Sequence, residues 1–152
     1  LVVVAIIGIL AAVGIVAYSG YTASAKHNVT VANHTALIKI LINDSAMCDI
    51  GGIPDRMEWP NCNIKVYTQC GLSFDNILDN HLFCAGFKNP YGNNLYQNKG
   101  VHWGSGNLVG QTYMVGISSK AGELAKLQVT TNLADGTTLQ EIVRYDYWAR
   151  GK

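Results

Sequence analysis

The sequence predicts an α+β fold in which one long N-terminal α-helix packs on a C-terminal antiparallel β-meander. The first observation behind this prediction is an apolar run, Leu1 to Ala17, that leads into an amphipathic stretch ending near Cys48. The second is the alternation of apolar and polar residues in the last third of the chain, where an Asp-Gly pair marks a hairpin turn. A chain of 152 residues can hold one such domain and its apolar extension.

The apolar run has no charged or strongly polar side chain and consists of Leu, Val, Ile, Ala and two glycines. Burying an aliphatic side chain is worth about 1.5–3 kcal/mol, so such a run is not expected to face water. It is slightly shorter than the roughly 20 residues that a membrane-spanning helix needs. It begins without a methionine or a basic flank, which we interpret as processing or trimming at this end.

Two simpler interpretations of the run remain open. A cleaved secretory signal has an apolar region of about 7–15 residues, but residues 18–21 (YSGY) make a poor cleavage site and the helical pattern continues beyond them. A plain single-span anchor would explain the hydrophobicity alone.

Beyond Tyr21, apolar residues recur at steps of three and four, which predicts an amphipathic continuation of the same helix. These residues are Val29, Ala32, Ala36, Leu37, Ile40, Leu41 and Met47. The whole helix would have about 45 residues and a length of about 70 Å. Two glycines and a proline in residues 49–54 predict its end. We therefore divide the chain into an apolar helix half, residues 1–25, and a globular domain, residues 26–152, that includes the amphipathic half.

The middle of the chain is predicted to be mostly irregular. We expect a loop up to Lys65, a short strand over residues 63–69, and a helix over residues 74–83 with Ser73 as its N-cap. Residues 87–106 are rich in Gly and Asn, and Asn89-Pro90-Tyr91-Gly92 is a turn signal.

The meander is predicted from three segments: residues 111–118, 126–131 and 139–147. Each alternates between apolar and polar residues as a half-buried strand does. Residues 134–137 (ADGT) supply the turn between the last two. Four aromatic residues, Trp103, Tyr145, Tyr147 and Trp148, could form an exposed binding patch, but the domain core or a subunit contact is the favoured position.

Four cysteines fall in the central third of the chain, and in an exported domain they predict two disulfides. We expect the local pairs Cys48–Cys62 and Cys70–Cys84, each closing a loop of about 15 residues worth roughly 3 kcal/mol. A nested arrangement, Cys62–Cys70 within Cys48–Cys84, stays open. Free buried thiols, as in a cytosolic protein, are a weaker alternative because the apolar N-terminus indicates export. A zinc site is weaker as well, because no Cys-x-x-Cys or close His pair is present.

No pattern in the sequence predicts an enzyme, a cofactor or a metal site. His27 and His34 are expected on the helix surface, and His81 and His102 have no metal-binding or triad spacing. Ser105 lacks the glycine spacing of a nucleophile elbow. Charged residues are 14% of the chain and the net charge is +1, so no specific nucleic-acid partner is predicted.

The segment AIIGILAAV around Gly8, followed by Tyr18, Tyr21 and a long amphipathic helix, resembles the N-terminus of type IV pilins and type II secretion pseudopilins. The match covers about the first sixth of the chain. In that family a leader peptidase cuts before a methylated aromatic residue that precedes a glutamate, which implies about half a dozen residues ahead of Leu1. The family usually has a proline where this chain has Val16.

The resemblance implies a type IV pilin fold and a structural subunit of a bacterial type IV pilus. Inner-membrane lipid would surround the apolar half before assembly, and further copies of the chain would surround it in the extracellular filament, with the pilus assembly machinery as another partner. Gly8 and Gly14 would allow the helix to loosen in the filament. The residues expected to pack the filament core are Leu1, Val4, Ile6, Ile7, Ile9, Leu10, Val13 and Ile15.

Two other functions stay open. The first is a type II secretion pseudopilin. Many pseudopilins carry a calcium site near the C-terminus, but Asp135, Glu141 and Asp146 are too dispersed in the sequence to make a convincing one. A membrane-anchored exported binding module or hydrolase would use the same apolar run only as a tether. Whether a pilus of this chain serves adhesion, motility or DNA uptake is not encoded in these residues.

Overall fold

The computed structural model describes residues 1–52, 55–58, 61–66, 74–92, 99–117 and 126–144. Over these residues the chain has a long N-terminal helix, a short second helix, a two-stranded sheet and a four-stranded mixed sheet. The α+β arrangement predicted from the sequence is therefore present.

Helix α1 runs unbroken from Val2 to Asp49, 48 residues. It ends where the sequence predicted, because Gly51 adopts a positive φ of 78° and lets the chain turn away. The amide of Gly52 donates back to the carbonyl of Met47 at 2.8 Å, which satisfies one of the last helical acceptors. Gly8 and Gly14 do not interrupt the helix in this single chain.

The segment after α1 is more regular than expected. Strand β1 (Asp55–Glu58) lies where the sequence predicted an irregular loop. It pairs antiparallel with β2 (Asn63–Val66), which confirms the first part of the strand predicted over residues 63–69. Helix α2 spans Phe74–Cys84, close to its predicted bounds. The N-cap assigned to Ser73 and the last residues of the strand predicted over 63–69 lie outside the described residues.

The larger sheet has the strand order β3-β4-β5-β6. Strands β4 (Thr112–Ile117), β5 (Lys126–Asn132) and β6 (Thr138–Arg144) form the predicted antiparallel meander. Strand β3 (Val101–Trp103) pairs parallel with β4 and was not predicted. Three residues within a Gly- and Asn-rich segment are too few to show a period.

Both turn signals are confirmed. The amide of Gly92 donates to the carbonyl of Asn89, and the Asn89 side chain accepts from the amide of Tyr91 at 2.9 Å. At the β5–β6 hairpin, Gly136 has a φ of 84°, and the Asp135 carboxylate accepts from the amide of Thr137 at 2.9 Å. These Asx contacts reproduce what the local sequence encodes.

The core forms where one face of α1 and one face of α2 meet the sheet. The buried residues of this cluster are Leu37, Ile38, Leu41, Leu78, Leu82, Val101, Met114, Leu127, Val129 and Val143. Trp103 packs partly against it, as expected for a core aromatic, whereas Tyr145, Tyr147 and Trp148 lie outside the described residues.

The buried stripe of α1 differs from the predicted one. Val29 is 46% exposed, and its neighbour Thr30 is buried. His34, predicted at the surface, is 4% exposed, so that prediction is wrong. The reason is a polar partner supplied by the sheet: His34 Nδ1 lies 2.8 Å from Thr131 Oγ1, which in turn lies 2.5 Å from Thr112 Oγ1. A hydrogen-bonded imidazole can be buried at little cost.

The predicted disulfide pairs are also wrong. Cys62 is bonded to Cys84, with 5.3 Å between their Cα atoms. This bond excludes Cys48–Cys62 and Cys70–Cys84, and it excludes the nested alternative as well. Cys48 is itself disulfide-bonded, to a partner outside the described residues. The bond between Cys62 and Cys84 ties the small sheet to the end of α2, a long-range link that loop length could not reveal.

A buried ion pair fixes the small sheet to α1. Arg56 of β1 donates to Asp44 of α1 at 2.6 Å, and their side chains are only 8% and 6% exposed. Met57 of the same strand donates its amide to His81 Nδ1 of α2 at 2.9 Å. These contacts set β1 between the two helices.

Candidate assembly surface

The first 20 residues form a surface that the rest of the chain does not cover, and we call residues 1–20 the bare half of α1. Every residue in it is exposed, whereas the first buried residue of the helix is Thr30. The eight residues predicted to pack a filament core all lie here, with exposures from 51% for Ile6 to 111% for Leu1. They point in all directions around the axis, because successive residues of an α-helix are separated by about 100°.

The bare half is long and apolar enough to cross a membrane by length and composition, which is weak evidence taken alone. A helix of 20 residues spans about 30 Å, the thickness of a hydrocarbon core. The first charged side chain of the sequence is Lys26. An apolar helix surface of this kind is stable only when other apolar material surrounds it.

The few polar side chains at the end of this surface are satisfied within the helix. Ser19 Oγ donates to the carbonyl of Val16 at 2.8 Å, and Thr22 Oγ1 donates to the carbonyl of Ser19 at 2.9 Å. Hydroxyls bonded back to the helix in this way need no water. These two hydroxyls can therefore enter lipid or a helix bundle with their hydrogen bonds already made within the helix.

The glycines of the bare half have no packing role within the chain. A Cβ added at Gly8, Gly14 or Gly20 would meet no atom within 4 Å. Their spacing of six residues places them on three different faces of the helix. Small residues permit close approach of a neighbouring helix, so these positions would offer close contacts on several sides rather than along one seam.

The boundary between the bare half and the domain is held by the loop after α2. Lys26 Nζ lies 5.3 Å from the ring centroid of Tyr91, a cation–π contact. Asn33 Nδ2 donates to the carbonyl of Lys88 at 3.1 Å. The helix is therefore fixed to the domain from just beyond the bare half.

Away from this surface, one buried polar cluster lies between α2 and β3. Asp79, 2% exposed, accepts from Lys99 Nζ at 3.2 Å and lies 3.7 Å from His102 Nδ1. Burial raises the pKa of Asp79, and the nearby Lys99 and His102 oppose that rise. The sequence did not predict this cluster, because Asp79 is 20 or more residues from Lys99 and His102 and the three follow no motif.

Two open clefts flank α1. One, of about 500 Å³, is bordered by Lys39, Asn43, Arg56 and His81. Since the Met57 amide donates to His81 Nδ1, the neutral His81 ring carries its proton on Nε2. Burial lowers the pKa of His81. The other cleft, of about 410 Å³, includes Ile38, Ile42 and Ile142. Within the described residues, no group of three His, Cys, Asp or Glu side chains could hold a metal ion.

No protein-family model matches this chain, and neither a curated protein nor a solved structure matches it.

Proposed function

We propose that this chain is a structural subunit of a type IV pilus that polymerises through the bare half of α1. The observation that carries the proposal is one continuous helix with two environments: 20 residues that are apolar on every side and uncovered, followed by residues docked on a sheet. The similarity of AIIGILAAV and its flanks to pilin N-termini supports the same function.

The proposed mechanism is burial rather than catalysis. Inner-membrane lipid covers the bare half before assembly, and the same half of neighbouring subunits replaces that lipid in the extracellular filament. Since lipid and helix bundle are both apolar, the exchange costs little hydrophobic free energy, and packing between helices decides the outcome. The disulfide between Cys62 and Cys84 suits a domain that functions outside the cell.

A monomeric anchor would use the same apolar helix, and imaging separates the two functions. Surface material is sheared from cells that produce the chain and is examined by negative-stain electron microscopy. The pilus subunit gives thin filaments in which mass spectrometry identifies this chain as the main component. A chain that remains in the membrane fraction, and leaves detergent as a monomer without filaments, contradicts the proposal. Thin filaments with a minor share of the chain would point instead to a pseudopilin-like role.

A further inference from the structure

A lysine, an asparagine and a buried aspartate converge between α2 and the segment that leads into β3. Lys99 Nζ donates to Asn80 Oδ1 at 3.0 Å and to Asp79 Oδ2 at 3.2 Å. The side chain of Asp79 is 3% exposed and that of Lys99 is 21% exposed. An amine, a carboxamide and a carboxyl group that can move protons are the three groups that amide exchange between side chains needs.

The backbone around this cluster is held in place from several sides. Lys99 forms an isolated antiparallel bridge with Lys88, and its carbonyl accepts from Gln111 Nε2 at 2.8 Å. Leu78 and Leu82, one turn apart on α2, are buried in the core beside Asp79 and Asn80. Reacting groups held in a fixed geometry react as if at roughly 10⁵–10⁸ M, so even a slow exchange becomes feasible.

We propose that Lys99 and Asn80 are joined by an intramolecular isopeptide bond, with Asp79 as the acid–base group. The Lys99 ammonium first transfers a proton to the Asp79 carboxylate. The neutral Nζ then attacks Asn80 Cγ, and the protonated Asp79 stabilises the developing oxyanion. The bond from Cγ to Nδ2 breaks, and the departing nitrogen takes up protons from Asp79 and from Nζ. One amide replaces another, one ammonium ion is released, and no oxidant or reductant is required.

The electrostatics of the cluster fit the role given to Asp79. Burial raises the pKa of this carboxyl, although the positive charge of Lys99 opposes the rise. A carboxyl that is removed from water accepts the lysine proton more readily than an exposed one would. The ring of His102, 3.7 Å from the same oxygen, is a further group through which protons can move.

The isopeptide bond would be a second covalent cross-link from α2 to another part of the chain. The disulfide holds the end of this helix, at Cys84, to the small sheet. A bond from Asn80 to Lys99 would hold the same helix to the segment that enters the four-stranded sheet. Unlike the disulfide, it would persist in reducing agent.

The test is the mass of the full-length protein after complete disulfide reduction. We expect the wild-type chain to be lighter than its sequence by one ammonia molecule. The Lys99→Arg variant keeps the ion pair but has no amine of the right reach, and it should have the full mass. Asn80→Ala should also have the full mass. After tryptic digestion, the wild type should give a peptide containing Asn80 covalently joined to the peptide containing Lys99.

The same measurements can overturn the proposal. A wild-type chain of full mass without the joined peptide would show an ordinary hydrogen-bonded ion pair. Loss of ammonia that persists in Asn80→Ala would place the reaction at another residue. Asp79→Asn should abolish the bond, but it changes a buried group, so Lys99→Arg and Asn80→Ala carry the decision whether or not that variant folds.

Discussion

The two halves of α1 are parts of one unbroken helix, yet one half is uncovered and the other is packed against the rest of the chain. Residues 1–20 are apolar on every side and uncovered, whereas the residues from Thr30 to Asp44 present a stripe that the sheets bury. The buried stripe is not the more hydrophobic of the two, since it contains Thr30, His34 and Asp44. The uncovered half of α1 is therefore the more uniformly apolar one, while the docked half combines core leucines with polar side chains that are paired within the chain.

The largest expected effect comes from placing a charge in the bare half. Ile7→Asp or Leu10→Asp should abolish filaments, because an unpaired carboxylate would have to enter an apolar bundle. The domain should still fold, since neither residue contacts it. Electron microscopy of sheared material scores filaments, and thermal unfolding of the chain in detergent scores folding. Ile50→Asp is the matched control, because Ile50 is 85% exposed but lies beyond the helix. Normal piliation by Ile7→Asp and Leu10→Asp would contradict a filament interior.

The next effect tests the polar pairing in the docked half. Arg56→Met should lower the free energy of unfolding by about 3–5 kcal/mol, because it leaves the Asp44 carboxylate buried without its cation. Denaturant unfolding of the chain in detergent measures the change. The double variant Asp44→Leu/Arg56→Met removes both charges and should recover most of the loss. A single variant as stable as the wild type would show that this ion pair does not fix β1 to α1.

A matched pair of leucines compares the halves directly. Leu41→Ala should cost about 2–5 kcal/mol of unfolding free energy, the usual range for a core leucine, since Leu41 is 0% exposed. Leu10→Ala should leave the unfolding of the domain unchanged, since Leu10 is 66% exposed. Equal losses at the two positions would mean that the bare half also contributes to the domain core.

A smaller effect concerns the helix itself after assembly. Each glycine costs about 1 kcal/mol relative to alanine in a helix, so we expect the bare half to loosen between Gly8 and Val16 within the filament. Val16 keeps its amide donor where pilins usually have proline, which makes the loosening weaker. A filament map would show broken hydrogen bonds in this stretch, and Gly8→Ala/Gly14→Ala should restore them. An unbroken α-helical ladder through Gly14 in the wild-type filament would refute this expectation.

The smallest effect is a pH dependence from the docked half. Burial lowers the pKa of His34 below its ordinary value of 6.5, although Glu141 opposes the shift. The unfolded chain then binds the proton more readily, so stability should fall as the pH drops below 6.5. His81 has a lowered pKa as well and acts in the same direction. Melting temperatures from pH 8 to pH 5.5 measure the slope, which His34→Gln should reduce.

The raised pKa values of Asp44 and Asp79 act in the opposite direction. In the folded chain these two carboxyl groups bind a proton at a higher pH than in the unfolded chain, where the pKa is about 3.8. They therefore add stability as the pH falls toward 3.8. A slope in His34→Gln equal to that of the wild type would assign the pH dependence to other groups.

The sequence by itself determined the features that depend on neighbours along the chain. The length of α1 and its end at Asp49 follow from an apolar run, a helical period and two glycines. The meander and its hairpin follow from alternation and from Asp135-Gly136. The bare half needed only composition, because a helix that is apolar on all sides cannot be covered by one small domain.

Only the tertiary structure decided which distant residues meet. Cys62 joins Cys84 because β1, which pairs with β2, lies against α2, whereas sequence spacing favoured nearer partners. His34 is buried because the sheet places the hydroxyl of Thr131 within hydrogen-bond distance of its ring, and Thr112 in turn contacts Thr131. Asp79, Asn80 and Lys99 converge because the chain returns past α2 after the turn at Asn89. The spacing of apolar residues predicts which apolar side chains are buried. Whether a polar side chain is buried depends on a hydrogen-bond partner that only the folded chain supplies.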